Sequence, residues 1–151
     1  SANYYYFCSR IFNLFAKSCS NMAGFTIRVD CNDDAFWRFN YVVMCSVRRG
    51  GEEVEFLKHR SEIAPVGAEL REKPKGYNAE RGVVLSSNDA EELTLYIYVI
   101  PHTLPRENTT RDIAPLNMSL IVEHGTTQLL KRWVEINPWS GENVEIDIKG
   151  D

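Results

Sequence analysis

From residue 25 to residue 148, apolar and polar side chains alternate with a period of two in almost every regular stretch of this chain. A β-strand turns successive side chains to opposite faces, so this period describes strands with one face buried and the other wet. Phe25, Ile27, Val29 and Cys31 alternate with Thr26, Arg28 and Asp30. Leu93, Leu95, Ile97 and Val99 alternate with Thr94, Tyr96 and Tyr98. Leu116, Met118, Leu120 and Val122 repeat the pattern. So do Leu130, Arg132, Val134 and Ile136, set against Leu129, Lys131, Trp133 and Glu135. Val144, Ile146 and Ile148 close the series against Glu145 and Asp147. Phe39, Tyr41, Val43, Cys45 and Val47 share a face as well, but Trp37, Val42 and Met44 make the opposite face apolar. That pattern predicts a central strand covered on both sides.

Turn formers separate these runs: Asn32-Asp33-Asp34, Arg49-Gly50-Gly51, Asn88-Asp89, Gly125 and the stretch from Asn137 to Gly141. Gly50-Gly51 predicts a hairpin in which residues 53–58 return with Val54 and Phe56 inward. Residues 82–86 read as a short strand. Residues 59–81 and 102–115 are irregular, and the first has room for a short strand over 66–70. Long connections in compact domains often carry function. No helical period interleaves the strands, which excludes an alternating α/β sheet. Uneven strand and turn lengths favour two packed sheets over a closed barrel. The expected fold is mainly β: an antiparallel two-sheet β-sandwich of seven or eight strands over residues 24–151, with a short amphipathic helix in residues 1–23.

That helix rests on Phe7, Ile11, Leu14 and Phe15, which fall on one face, with Arg10, Asn13 and Lys17 elsewhere. Its charges interrupt the apolar residues, unlike a secretory signal, and no run approaches the length of a membrane span. A cytoplasmic location is therefore the expectation. The helix is expected to cover an apolar sheet face, with Trp37, Tyr96 and Tyr98 as contacts. Met22-Ala23-Gly24 also reads as an internal start, in which case residues 1–21 are an upstream extension.

Charge narrows the function classes. Seventeen basic side chains stand against 21 acidic ones, a formal charge of −4, and the basic pairs Arg48-Arg49 and Lys131-Arg132 form no patch. Nucleic-acid binding needs the opposite sign. Apolar residues at 44% are enough for an ordinary core in a chain of 151 residues.

The acidic turn Asp30, Asn32, Asp33 and Asp34 is the best candidate metal site, because hard oxygen ligands at alternate loop positions suit calcium. It lacks the glycine and distal glutamate of an EF-hand loop, and Asp and Asn are also ordinary turn formers. His59, His102 and His124 form no H-x-x-x-H pair and read as surface residues, although His102 and His124 together are a conceivable zinc pair. The cysteines Cys8, Cys19, Cys31 and Cys45 show no C-x-x-C spacing. Cys31 and Cys45 lie in consecutive strands facing inward, as buried thiols or as a disulfide in an oxidising compartment. No serine sits in a G-x-S-x-G elbow. The expectation is no catalysis and no cofactor.

Trp133, Trp139, Tyr96 and Tyr98 lie off the regular apolar faces and are the candidate ligand-binding residues. Aromatics of this kind anchor interfaces, and they also serve as ordinary core contacts. In architecture the expected sandwich resembles C2-like, immunoglobulin-like and transthyretin-like domains, and architecture alone does not license a function. The expected function is a non-catalytic protein-interaction module with a protein partner or self-association. The alternative is a calcium-dependent lipid or membrane binder, C2-like, using the turn at residues 30–34. A hydrolase site built from the two long loops stands third.

Overall fold

A computed structural model describes residues 23–31, 36–76, 82–106 and 114–151. The alternating runs become eight strands: β1 (Ala23–Cys31), β2 (Phe39–Arg49), β3 (Glu52–Ser61), β4 (Gly82–Ala90), β5 (Glu92–Pro101), β6 (Leu116–His124), β7 (Thr127–Ile136) and β8 (Val144–Lys149). They pair antiparallel throughout, in sheet A with the order β4-β1-β6-β7 and in sheet B with the order β3-β2-β5-β8. This is the expected two-sheet sandwich. The one helical element among the described residues is a 3-10 turn, Phe36–Arg38. The expected N-terminal helix lies outside the described residues.

The inner faces interdigitate. Phe25, Ile27 and Val29 of β1 and Leu116, Met118, Leu120 and Val122 of β6 are buried from sheet A. Val43, Cys45 and Val47 of β2 and Leu93, Leu95, Ile97 and Val99 of β5 meet them from sheet B. Each such side chain contributes roughly 1.5–3 kcal/mol when fully removed from water. The outermost strands add half-buried residues: Leu57 on β3, Leu85 on β4, Leu130 and Val134 on β7, and Val144 and Ile146 on β8. β2 is central, as its two apolar faces imply, and its second face carries half-buried Val42 and Met44.

The β2–β3 hairpin corrects one expectation. Gly50 and Gly51 take φ values of 60° and 81°, the left-handed pair that a two-residue hairpin turn requires. From that turn Arg49 pairs with Glu52 and Arg48 with Glu53, but Val47 then pairs with Glu55. Val54 is an extra residue, a β-bulge, and every side chain beyond it turns over. An unbroken register would have set Val54 opposite Val47 and Phe56 opposite Cys45, both inward. Instead Cys45 faces Leu57, while Val54 and Phe56 are 50% and 51% exposed. The turnover aims Glu55 at sheet A, where its Oε2 accepts the Asn88 N–H at 2.9 Å. It also brings His59 onto the ring of Tyr41, centroid to centroid 5.9 Å. Apolar burial on β3 is exchanged for closure of the sandwich along β3 and β4.

Other details differ from the sequence reading. β4 runs on to Ala90, so Asn88 and Asp89 are strand rather than turn, and Asp89 pairs with Gly24. No strand forms at 66–70, because the backbone donors there go to loop anchors: Gly67 N bonds His102 O at 2.9 Å and Leu70 N bonds Thr103 Oγ1 at 3.2 Å. Cys31 and Cys45 lie in opposite sheets as buried thiols. Burial pushes the Cys45 thiol up to about 12, so it is no nucleophile near neutral pH.

The two residues Leu57 and Phe56 report the register directly. Leu57→Ala is expected to lower unfolding free energy by about 1–2 kcal/mol, and Phe56→Ala by under about 0.5 kcal/mol. Urea unfolding of the two variants checks this, and the reverse ranking would mean that β3 pairs without its bulge.

Candidate functional site

Strand order puts the short connections at one end of the sandwich and the long ones at the other. Turns at residues 50–51, 91 and 125–126 occupy the first end, whereas the described residues 36–38, 62–76, 102–106, 114–115 and 137–143 belong to connections that start or finish at the second. Buried polar side chains tie the described part of that second end together. Asn40, at the start of β2, donates from Nδ2 to Ala64 O at 2.7 Å, and its Oδ1 accepts from Ile63 N at 2.8 Å. His102, just after β5, lies 2.8 Å by Nε2 from Trp37 O. A carbonyl only accepts, so that nitrogen carries the hydrogen. His102 Nδ1 lies 2.7 Å from Thr103 Oγ1, which in turn accepts from Leu70 N. Asn40, His102 and Thr103 thus pin residues 63–70 against the Phe36–Arg38 turn.

The histidines are therefore structural in a way their loop-like neighbours in sequence do not reveal. His102 and His124 are 1% and 5% exposed rather than surface residues. They also stand at opposite ends: β6 starts at the long-loop end and finishes at His124. There His124 Nε2 lies 2.9 Å from Ala90 O, Nδ1 accepts from Asp151 N at 3.1 Å, and the ring packs on Phe25. The strand lengths between them rule out a shared zinc ion. Among the described residues no three His, Cys, Asp or Glu side chains cluster to hold a metal.

Of the expected calcium ligands only Asp30 is described; Asn32, Asp33 and Asp34 lie outside the described residues. Asp30 sits exposed near the long-loop end of β1, outward, between Gly82 of β4 and Ser119 of β6. The four aromatic candidates separate into three places. Trp133 stands on the outer face of sheet A at 62% exposure. Tyr96 and Tyr98 are half-buried on the outer face of sheet B. Trp139 lies in the β7–β8 turn, edge-on to Phe39 at 6.1 Å, and closes the end of the core.

The outer face of sheet B gathers what the sequence keeps apart. Pairing lays Phe56, Ser46, Thr94 and Asp147 across the four strands in one row. The next row is Lys58, Met44, Tyr96 and Glu145, and the third is Arg60, Val42 and Tyr98. Phe56, Met44, Val42, Tyr96 and Tyr98 make an apolar centre with charged ends. Toward the tight-turn end a polar set fixes the border: Arg48 Nη1 donates to Thr94 Oγ1 at 2.8 Å, and Thr94 Oγ1 donates to Asp147 Oδ1 at 2.6 Å. Sequence reasoning found the two tyrosines but placed Phe56 inside, because nothing local marks the bulge.

No protein-family model matches the chain, and no curated protein does. A solved structure of a domain of unknown function, DUF4425, from Bacteroides vulgatus is similar to it at 10% sequence identity. The match covers 87% of this chain and 98% of that one, with a TM-score of 0.48. The architecture stated above rests on the strand pairings themselves.

Two outcomes follow for this end of the molecule. Asn40 Oδ1 also accepts from Ala64 N at 3.4 Å, so Asn40→Ala strands the N–H groups of Ile63 and Ala64 and the Ala64 carbonyl, and is expected to cost about 2–3 kcal/mol of stability. Urea unfolding measures the loss, and amide exchange at Ile63 and Ala64 should accelerate more than at Val43. Millimolar calcium is expected to leave the melting temperature within about 1 °C of its value without the ion, since a site short of ligands gains little linkage energy. A rise of several degrees that Asp30→Ala abolishes would establish the calcium site instead.

Proposed function

We propose that this domain is a non-catalytic protein-binding module that takes its partner on the outer face of sheet B. The observation that carries the reading is Phe56, an aromatic side chain set outward by a bulge whose absence would bury it. Folding alone gains nothing from that exposure. Around it, Met44, Tyr96 and Tyr98 supply the residue types enriched at the centres of interfaces, and Lys58, Arg60, Glu145 and Asp147 form a charged border. Tyrosine and phenylalanine give large contact areas and lose little rotamer freedom on binding. The sheet supplies a rigid platform, so a partner does not have to order it.

A photo-reactive phenylalanine placed at position 56 tests this in the cells that make the protein. It should give a cross-linked adduct of one defined mass with another protein. The same residue at position 84, exposed on the outer face of sheet A, should give none. Tyr96→Lys should abolish the adduct and shift the melting temperature by no more than about 2 °C. Equal adducts from both positions, or none from position 56, would overturn the reading.

A further inference from the structure

We infer that β7 is a dimerisation edge, which pairs antiparallel with β7 of a second copy of this chain about a two-fold axis at Trp133. The inference concerns the other sheet and does not depend on the binding face proposed above. Among the described residues β7 ends sheet A, with β6 as its sheet neighbour, so the backbone N–H and C=O groups along its other side face outward. It is ten residues long where strands of five or six are usual, and Trp133 on it is 62% exposed. The β6–β7 register shifts once, between Val122 paired with Leu130 and Glu123 paired with Gln128, which makes Leu129 an extra residue. The regular part of the edge is therefore residues 130–136, and its midpoint is Trp133.

Edge strands of this length are blunted against indiscriminate pairing by charge, and Lys131 and Arg132 do so here. Those same charges select one arrangement. A two-fold centred on Lys131, Arg132 or Glu135 places identical charges directly opposite each other, which is unfavourable. Centres at Leu130, Val134 and Ile136 bring no opposite charges together. Centred on Trp133, Lys131 of each copy faces Glu135 of the other, Leu130 faces Ile136, Arg132 faces Val134, and the two indoles meet on the axis. The contact is self-complementary, as a two-fold interface must be. It joins two four-stranded sheets into one of eight and covers an exposed Trp, the residue type most enriched among interface hot spots.

Sedimentation equilibrium of the full 151-residue chain over about 1–500 µM tests the arrangement, a range that reveals dissociation constants of transient dimers. The wild type should show a monomer–dimer equilibrium. Glu135→Lys, at an exposed position, sets Lys131 against a second lysine and should weaken dimerisation at least about tenfold with an unchanged circular dichroism spectrum. The double exchange Lys131→Glu with Glu135→Lys restores the pairing in reverse and should return the dissociation constant to within about threefold of wild type. A chain that stays monomeric throughout overturns the inference. So does a dimer indifferent to Glu135→Lys, including one lost instead on Phe56→Lys, and so does a double exchange that fails to restore association.

Discussion

Burial of the alternate side chains of β1, β6, β2 and β5 between the two sheets is the interaction on which the rest of the molecule depends. These four strands are central in their sheets, and their inward residues are almost wholly removed from water. The outermost strands β3, β4, β7 and β8 bury few side chains fully, Val83 and Ala90 of β4, Ile136 of β7 and Ile148 of β8, and otherwise contribute half-buried contacts. The division leaves the outermost strands free to depart from regularity at small energetic loss. A bulge in β3 costs one unpaired residue at the margin, whereas the same insertion in β2 would reverse an entire buried face. Both candidate surfaces, the Phe56 face and the Trp133 edge, are accordingly built where the core demands least.

Polar groups complete what burial begins. Asn40 and Thr103 are buried, and each bonds the backbone of residues 63–70, which have no sheet partner. His102 braces Thr103 and reaches the 3-10 turn that leads into β2. At the opposite end His124 bonds Ala90 and Asp151, so the stretch after β8 is held beside the β4–β5 link. Backbone groups without a ladder need a partner from somewhere. In this domain side chains from the ends of central strands provide it, and the irregular loops inherit order from the core.

The sequence announces the strands because alternation is a local signal, and six of the eight could be placed with their inner faces from it. What it conceals is long-range. The alternation of residues 53–59 is compatible with either face, since Val54 and Phe56 suit one and Leu57 the other. Only the pairing with β2 and the link from Glu55 to Asn88 decides between them. His102 and His124 look like loop histidines because burial and hydrogen-bond partners arrive from residues 27 to 65 positions away. Tyr96 and Tyr98 were legible as outward aromatics. That Met44 and Phe56 stand on the neighbouring strands was not, because adjacency across a sheet is a property of topology.

Topology has a temporal consequence as well. β1 is central in sheet A, but its partners are β4 and β6, and β6 ends only at residue 124. During synthesis, Phe25, Ile27 and Val29 leave the ribosome roughly a hundred residues before the strand that completes their sheet, which at about 5–20 residues per second is several seconds. Sheet B waits longer, since β8 supplies its last strand from residues 144 to 149. For that interval the inward side chains of β1 have no completed sheet to bury against. Long-range antiparallel pairing of this kind is slow to form, so exposure of apolar segments before pairing is a consequence of the strand order itself.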